Sequence, residues 1–361
     1  MHRLRWLAIT LVGLASSVQA DEAANTDQVM VISIKDDGII ASGINARGDV
    51  VGFEWLEEKE RPGVLYQAPF YYVKGKPLTY LPLLEGYTAT FPAAVSDNGL
   101  VVGRVSKPAP PRVRVDLRNQ AFVWEADRGI RGLGALKDDF ASFACDVSSD
   151  GRRISGFTLG DNRVRACVWD RVGDGWQGTA LPHENRLGSN VVAISDDGKS
   201  VTAVDGVLPC LWTQTPSGEW TREVIGDAGS LVPRAINNAA TVVGVRFTGD
   251  GLTHAIVWTR EDGMKRLEMP EGYVRSEASA INNDGVVVGM VDGPNGSKIG
   301  PNAFKYQNGR LHLIREGGPF FTAATCINDR GQFAGVVEKE EEEEIDPKAK
   351  PEAIPDKRPA P

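Results

Sequence analysis

Few residues of this 361-residue chain have the types and spacing that catalysis requires. The chain has four histidines, and His183, His254 and His312 belong to no His-x-x-x-His or Glu-x-x-His spacing. They therefore predict surface or loop histidines and not a zinc site. The chain also lacks a Gly-x-Ser-x-Gly nucleophile motif, a phosphate-binding loop and a dinucleotide fingerprint. We expect no metal and no cofactor, and no catalytic residue stands out.

Carboxylates are the second group with chemical potential, because several follow a Ser or Asn in a short recurring turn. They are Asp97, Asp150, Asp196, Asp197, Asp284 and Asp329. A Ca²⁺ site needs six or more oxygen ligands, whereas each of these turns offers one or two carboxylates. We therefore favour structural turns over Ca²⁺ sites. A glycosidase needs two carboxylates across a cleft, and the sequence does not single out a pair among its 48 acidic residues.

The two ends of the chain differ from its middle. Residues 1–20 join Arg3 and Arg5 to an apolar run and to small residues that end at Ala20, as in a cleavable secretory signal peptide. The apolar run is shorter than the roughly 20 residues of a membrane span. Residues 21–28 are expected to be a linker, and residues 338–361 a disordered acidic and Pro-rich tail. The sequence predicts an exported protein, secreted or periplasmic. Its net charge of −8 argues against a nucleic-acid partner.

A turn pattern recurs seven times between these ends, and its first copy is Ile-Asn-Ala-Arg-Gly-Asp-Val-Val-Gly at residues 44–52. Each copy opens with Asn or Ser, whose side-chain oxygen caps the turn, and Gly then supplies a positive φ. The turn glycines are Gly48, Gly99, Gly151, Gly198, Gly285 and Gly331. Ala240 replaces the glycine of the fifth copy. This predicts a strained or altered turn, because a Cβ is unfavourable in the left-handed region.

A second segment follows each of the first six turns and ends in an aromatic residue that we expect to be core. These aromatics are Tyr72, Trp124, Trp169, Trp212, Trp258 and Tyr306. Another Gly and a further apolar strand come next, and Asn308-Gly309 is typical of a two-residue hairpin. Each repeat therefore predicts four strands.

A repeat of about 47 residues with β-branched strands lies in the range of propeller blades. We predict an all-β protein, a β-propeller of four-stranded blades that forms a single domain over residues 29–337. The seventh repeat stops after its second strand near Val337, and the segment Val29–Ile34 is expected to complete it. Seven blades, closed by N- and C-terminal strands, are favoured. Six blades or an open solenoid are the alternatives.

The alternation of the Ile-Asn-x-x-Gly-x-Val-Val-Gly segment with an Ala-Phe-x-Trp segment resembles the HAF repeat, a family of predicted bacterial extracellular repeat proteins. The likeness covers nearly all of residues 37–337, and residues 253–258 are the closest copy of the second segment. The other copies lack its His, and two carry Cys in place of Phe. The resemblance implies an extracellular location and a repeat architecture. It brings no catalytic or binding residues with it.

Four cysteines in an exported chain permit disulfides. However, Cys167 and Cys210 occupy the Phe position of a core strand, and Cys145 and Cys326 lie just before the recurring turns. Because free Cys is among the most buried residue types, we favour buried thiols over disulfides.

The least regular parts of the repeats are the loops after the second strand in repeats one and two. Insertions on one face of a repeat array often mark the binding face. In repeat two this loop is basic and Pro-rich within an acidic protein, and the candidate binding residues are Arg104, Lys107, Arg112, Arg114 and Arg118. A solvated loop without a partner is an equally good interpretation.

We favour a non-enzymatic exported binding or scaffold protein whose partner, an acidic or glycan-bearing molecule, binds at the loops between the second and third strands of the first blades. The partner would be a protein or glycan of the cell envelope or of the surroundings, not a nucleic acid, and no membrane span is expected. The alternative is a hydrolase or lyase that acts on a polysaccharide in the central channel.

Overall fold

A computed structural model describes residues 39–57, 65–107, 119–161, 163–184, 188–295, 299–314 and 320–338. These residues form β-strands and turns, and none of them belongs to a helix that could cross a membrane. The strands pair antiparallel in chain order. Six sheets have four strands each and the last sheet has two. The predicted four-stranded repeat is therefore confirmed for the first six repeats.

The bounds of the strands follow the repeats. Blade one consists of β1 (Ile39–Ile44), β2 (Val50–Glu57), β3 (Leu65–Tyr72) and β4 (Thr79–Tyr80). Blade two consists of β5 (Ala89–Val95), β6 (Val101–Ser106), β7 (Asn119–Glu125) and β8 (Gly129–Gly132). Blade three consists of β9 (Ala141–Val147), β10 (Arg153–Gly160), β11 (Arg163–Val172) and β12 (Gly175–Ala180).

The second half of the ring repeats this arrangement. Blade four consists of β13 (Ser189–Ile194), β14 (Ser200–Asp205), β15 (Leu208–Gln214) and β16 (Trp220–Val224). Blade five consists of β17 (Val232–Ile236), β18 (Val242–Phe247), β19 (Thr253–Thr259) and β20 (Gly263–Arg266). Blade six consists of β21 (Arg275–Ile281), β22 (Val287–Asp292), β23 (Asn302–Gln307) and β24 (Arg310–Leu313), and the last sheet of β25 (Phe320–Ile327) and β26 (Phe333–Glu338).

The two-stranded sheet occupies a seventh position and closes the ring. It packs against blade six on one side and against β1 on the other. One core cluster joins Phe70 of blade one, Val288 of blade six and Phe333 of β26. The segment Val29–Ile34 lies outside the described residues, so a complete seventh blade stays a prediction. Strand β26 ends at Glu338, the residue at which we expected the tail to begin.

The recurring turns join neighbouring blades as well as strands. The side-chain oxygen of Asn45 accepts the backbone N–H groups of Arg47 and Asp49, which is the predicted cap. Its amide nitrogen donates to the carbonyl of Ser96 in the next turn at 3.0 Å. The amide of Asn328 donates in the same way to the carbonyl of Asn45 at 2.8 Å. This last bond links the seventh turn to the first and completes the circle.

The predicted backbone conformations of these turns are confirmed. All six turn glycines have positive φ, and Ala240 has φ of 58°, the left-handed region that L-residues avoid. The Ala240 N–H still donates to the carbonyl of Asn237 at 2.9 Å, so the turn is strained but keeps its hydrogen bond. Asn308 and Gly309 have φ of 51° and 76°, as a type I′ hairpin requires.

The core contains the residues that we expected, except that two of the aromatic residues and one of the cysteines are only partly buried. Trp124, Trp169, Trp212 and Trp258 are buried, while Tyr72 and Tyr306 are half-buried. The four cysteines are free thiols; three are buried and Cys145 is partly exposed.

The prediction of a surface or loop position is wrong for His254, which is buried on β19, although His183 and His312 are exposed. His254 lies on the same face of β19 as Ile256 and Trp258, which pack in the core cluster between blades four and five. Burial and the nearby Arg266 and Arg246 lower the pKa of His254.

Candidate functional site

A β-bulge recurs in the innermost strand of all seven sheets, always three residues before the Asn or Ser that opens the turn. A bulge leaves one residue unpaired and re-aims its side chain. The bulged residues are Ser42, Ala93, Cys145, Val192, Arg234, Ser279 and Thr325. The bulges therefore set which side chains line the axis of the ring.

The innermost strands enclose a central cavity of about 350 Å³. Bulged residues line it together with the residues that follow them. The carboxylates on its wall are Asp97, Asp146, Asp196 and Asp329, and Arg234 is the cation that faces them among the described lining residues. A volume of this size lies at the lower end of the range of small-molecule sites, roughly 300–1,000 Å³.

The turn end of the cavity is narrowed by Asn283. Its amide nitrogen donates to Asp196 of blade four at 2.7 Å and to Asp329 of the seventh position at 2.8 Å. Positions four and seven lie almost opposite each other in a ring of seven. The Asn283 amide therefore lies close to the axis and partly closes this end.

Two of the cavity carboxyls titrate near neutral pH. Burial raises the pKa of Asp146 to about 7, and the charge of Asp196 acts in the same direction. Burial and the charge of Asp329 raise the pKa of Asp196 to about 6, against the hydrogen bond from Asn283. Such groups are typical of functional sites, because small changes in their surroundings alter their charge.

Two of the remaining turn carboxylates accept backbone N–H groups within their own turns. Asp150 accepts the Arg152 N–H at 2.9 Å, and Asp197 accepts the Lys199 N–H at 3.0 Å. The carboxylates on the cavity wall differ from these because they reach neighbouring turns or the axis. The described residues contain no cluster of three or more His, Cys, Asp or Glu side chains that could hold a metal ion.

The predicted binding residues lie elsewhere, at the other end of the ring. We call this end the loop face; it carries the loops between the second and third strands, such as residues 248–252, and the connections between blades. The Arg104 guanidinium lies 4.4 Å from the centre of the Phe91 ring, and Lys107 Nζ lies 4.7 Å from the centre of the Tyr87 ring. Both cations are thus held against aromatic rings of blade two. Arg112, Arg114 and Arg118 lie outside the described residues.

The loop face also carries most of the exposed large apolar side chains. They belong to blades one and three to six and to the connection between blades one and two, and they are Tyr66, Tyr80, Leu83, Phe140, Val207, Phe247 and Ile299. Where exposed apolar side chains form a contiguous patch, they are typical of a surface that contacts another protein. We did not predict them, because their exposure depends on the ends of strands and not on the repeat.

The cavity residues Asp146 and Arg234 were missed as well. The signal was available in the repeat itself. Aligned at the turn, the position of Asp146 holds Gly, Ala or Cys in the other six copies, and no other copy has a charge at the position of Arg234.

No family model and no curated protein matches this chain. Several solved structures match it. The β-propeller domain of the Trilobed protease from Pyrococcus furiosus is 10% identical, with a TM-score of 0.52 over 80% of this chain and 87% of that chain. Virginiamycin B lyase from Staphylococcus aureus is 13% identical, with a TM-score of 0.48 over 82% and 94% of the two chains. TolB from Acinetobacter baumannii is 15% identical, with a TM-score of 0.42 over 82% of each chain. The first likeness shows that the protein is a β-propeller and does not extend to activity.

Proposed function

We propose that this protein is an exported, non-enzymatic β-propeller that binds a protein partner through its loop face. The observation that supports this is that most of the exposed large apolar side chains lie on that face, which also carries Arg104 and Lys107. Protein interfaces combine an apolar centre with a polar or charged rim. An acidic partner with apolar side chains fits such a surface better than a neutral glycan does.

Export is supported by the N-terminal sequence and by the resemblance to the HAF repeat. The N-terminal sequence of the protein recovered from the exported fraction should begin at Asp21. Recovery of the protein only in the cytoplasm, with its first twenty residues intact, would contradict the proposal.

The loop face is tested by photo-crosslinking in the source organism. A photoreactive residue would replace Val207 or Phe247, which are 53% and 56% exposed on the loop face. Val172 is the matched control, because it is 58% exposed but lies at the hairpin that ends β11, on the turn side of the ring. We expect a discrete adduct from the two loop-face positions and none from position 172.

The contribution of the cations is tested in the same assay. Replacing Arg104 and Lys107 together with Ala should reduce the adduct severalfold if the partner is acidic, since rim charges mainly set association rates. Equal labelling from both ends of the ring, or no adduct at all, would refute a docking role for the loop face.

A second candidate function is a hydrolase or lyase that acts on a carbohydrate in the central cavity. The raised pKa values of Asp146 and Asp196 favour it, because an acid that is half-protonated near neutral pH suits proton transfer. The Asn283 amide near the axis restricts the substrate to a short chain. The test is the release of reducing or unsaturated ends from oligosaccharides. Activity that survives both Asp146→Asn and Asp196→Asn would exclude this site.

A further inference from the structure

Two charged residues break the repeat where it faces the central cavity. The position after the bulge holds Gly43, Ala94, Ala193, Ala235, Ala280 and Cys326 in six sheets, and it holds Asp146 in blade three. The bulged position is uncharged in six sheets and is Arg234 in blade five. A structural repeat needs neither charge, since the other blades form the same strands and the same bulge without them.

Asp146 is held in a fixed orientation on the cavity wall. Its Oδ1 accepts the Val147 N–H at 2.8 Å, and its Oδ2 accepts the Ile194 N–H of blade four at 3.0 Å. These two bonds use one lone pair of each oxygen. In the ionised form, which a neighbouring ammonium group favours, the carboxylate keeps its other lone pairs for a ligand.

Arg234 faces the same cavity from two blades further along the ring. Its side chain is exposed to the cavity, and within the described part of the chain it forms no ion pair with Asp146 or with another carboxylate. A guanidinium can bind a carboxylate through two parallel hydrogen bonds. The wall thus offers an acceptor for a cation and a donor for an anion, separated from each other.

We propose that the central cavity binds a small zwitterion of the amino-acid type, whose ammonium group contacts Asp146 and whose carboxylate contacts Arg234. A simple cation would leave Arg234 without a partner, and a simple anion would be repelled by the carboxylates of the wall. A cavity of about 350 Å³ accommodates a molecule the size of an amino acid or a dipeptide. This site is separate from the loop face and does not depend on a partner there.

The test is a thermal-shift screen of the purified protein against the free amino acids and simple dipeptides, followed by titration calorimetry of the compounds that raise the melting temperature. A ligand that binds only the folded state raises this temperature by an amount that grows with the logarithm of its concentration relative to Kd. We expect at least one compound with a Kd below about 1 mM. Each hit is then compared with the amine that lacks its carboxylate.

Two variants distinguish the contact of the ligand with Asp146 from its contact with Arg234. Arg234→Ala should weaken the zwitterion by roughly tenfold or more and should not weaken the matching amine, whereas Asp146→Asn should weaken both. Arg246→Ala, which removes an exposed arginine at the loop end of β18, is the control and should bind as the unmodified protein does. The inference is overturned if no compound of the screen binds, or if Arg234→Ala affects the zwitterion and the amine equally.

Discussion

The amide of Asn328 closes the ring, and its removal gives the most direct measure of what closure contributes to stability. Asn328 caps its own turn through Oδ1, which accepts the N–H groups of Arg330 and Gln332 at 3.0 Å. Its Nδ2 donates to the buried carbonyl of Asn45. The substitution Asn328→Ser keeps a capping oxygen, as in the three repeats that open with Ser, and removes the donor to the first turn.

The expected cost follows from these contacts. The Asn328 amide loses two hydrogen bonds, to the Asn45 carbonyl at 2.8 Å and to Gln332 Oε1 at 2.7 Å, and at about 1 kcal/mol each the total is about 2 kcal/mol. The Asn45 carbonyl keeps a partner, because it also accepts the Gly48 N–H. For a domain of this size we expect a fall of about 4 °C in the melting temperature, at roughly 2 °C per kcal/mol. Urea unfolding followed by tryptophan fluorescence measures the loss, since every four-stranded blade from two to five has a buried Trp at the end of its third strand.

The matched control is Asn282→Ser, because Asn282 donates to the carbonyl of Asn328 at 3.2 Å and so links two neighbours inside the array. If the ring is closed, Asn328→Ser should cost about 2 kcal/mol and Asn282→Ser about 1 kcal/mol, because Asn282→Ser removes the bond to the Asn328 carbonyl alone. A cost for Asn328→Ser no greater than that of Asn282→Ser would refute the closed ring, since the lost bond to Gln332 within the same turn would then account for all of it.

Three further predictions concern the turns and the cavity. Gly285→Ala should lower stability by about 0.5–1 kcal/mol in urea unfolding, because no atom lies within 4 Å of the added Cβ and only the positive φ opposes it. Ala240→Gly should raise stability by less than that, because the Ala240 methyl also packs against the core of blade five; a loss instead of a gain would show that packing outweighs strain. Between pH 4 and pH 7 stability should fall as pH rises, because Asp146 holds its proton more tightly in the folded protein, with a pKa of about 7, than in the unfolded chain. Asp146→Asn should reduce this slope, and an unchanged slope would show that Asp146 is not the group that titrates.

The architecture could be predicted from the repeat, because the repeated residues reflect the local requirements of turns and strands. A positive φ at the turn requires Gly, so the six turn glycines and the strained Ala240 follow from the sequence. The four-strand unit follows from the spacing of turns and aromatics. The bulges could not be predicted in this way. Small residues accommodate the shift in strand register, and they do not form a distinctive sequence pattern. Gly103 shows this: a Cβ there would come within 2.1 Å of the Phe91 carbonyl oxygen beside the bulge, although the residue looked like a simple end of a strand.

The candidate site was less predictable than the fold, because the role of its residues depends on which part of the folded protein their side chains face. The basic loop of repeat two attracted attention through its composition, and only Arg104 and Lys107 of that set lie in the described residues. Asp146 and Arg234 have no unusual local sequence. They become noticeable only when the seven copies are aligned at the turn and the cavity shows that both positions line the axis. Composition reports where a chain is irregular, whereas function in a repeat protein requires irregularity at a position that a ligand can reach.

Departure from the repeat is therefore not sufficient evidence for function, and the three clearest departures show why. Ala240 lies in a turn whose hydrogen bond is intact, so its departure changes stability alone. Asp146 supports the contact between blades three and four by accepting the Ile194 N–H, so part of its role is structural. Arg234 forms no hydrogen bond or ion pair within the described residues and lines the cavity. No hydrogen bond or ion pair of the fold therefore accounts for its charge, and this makes Arg234 the departure that a ligand-binding test addresses most directly.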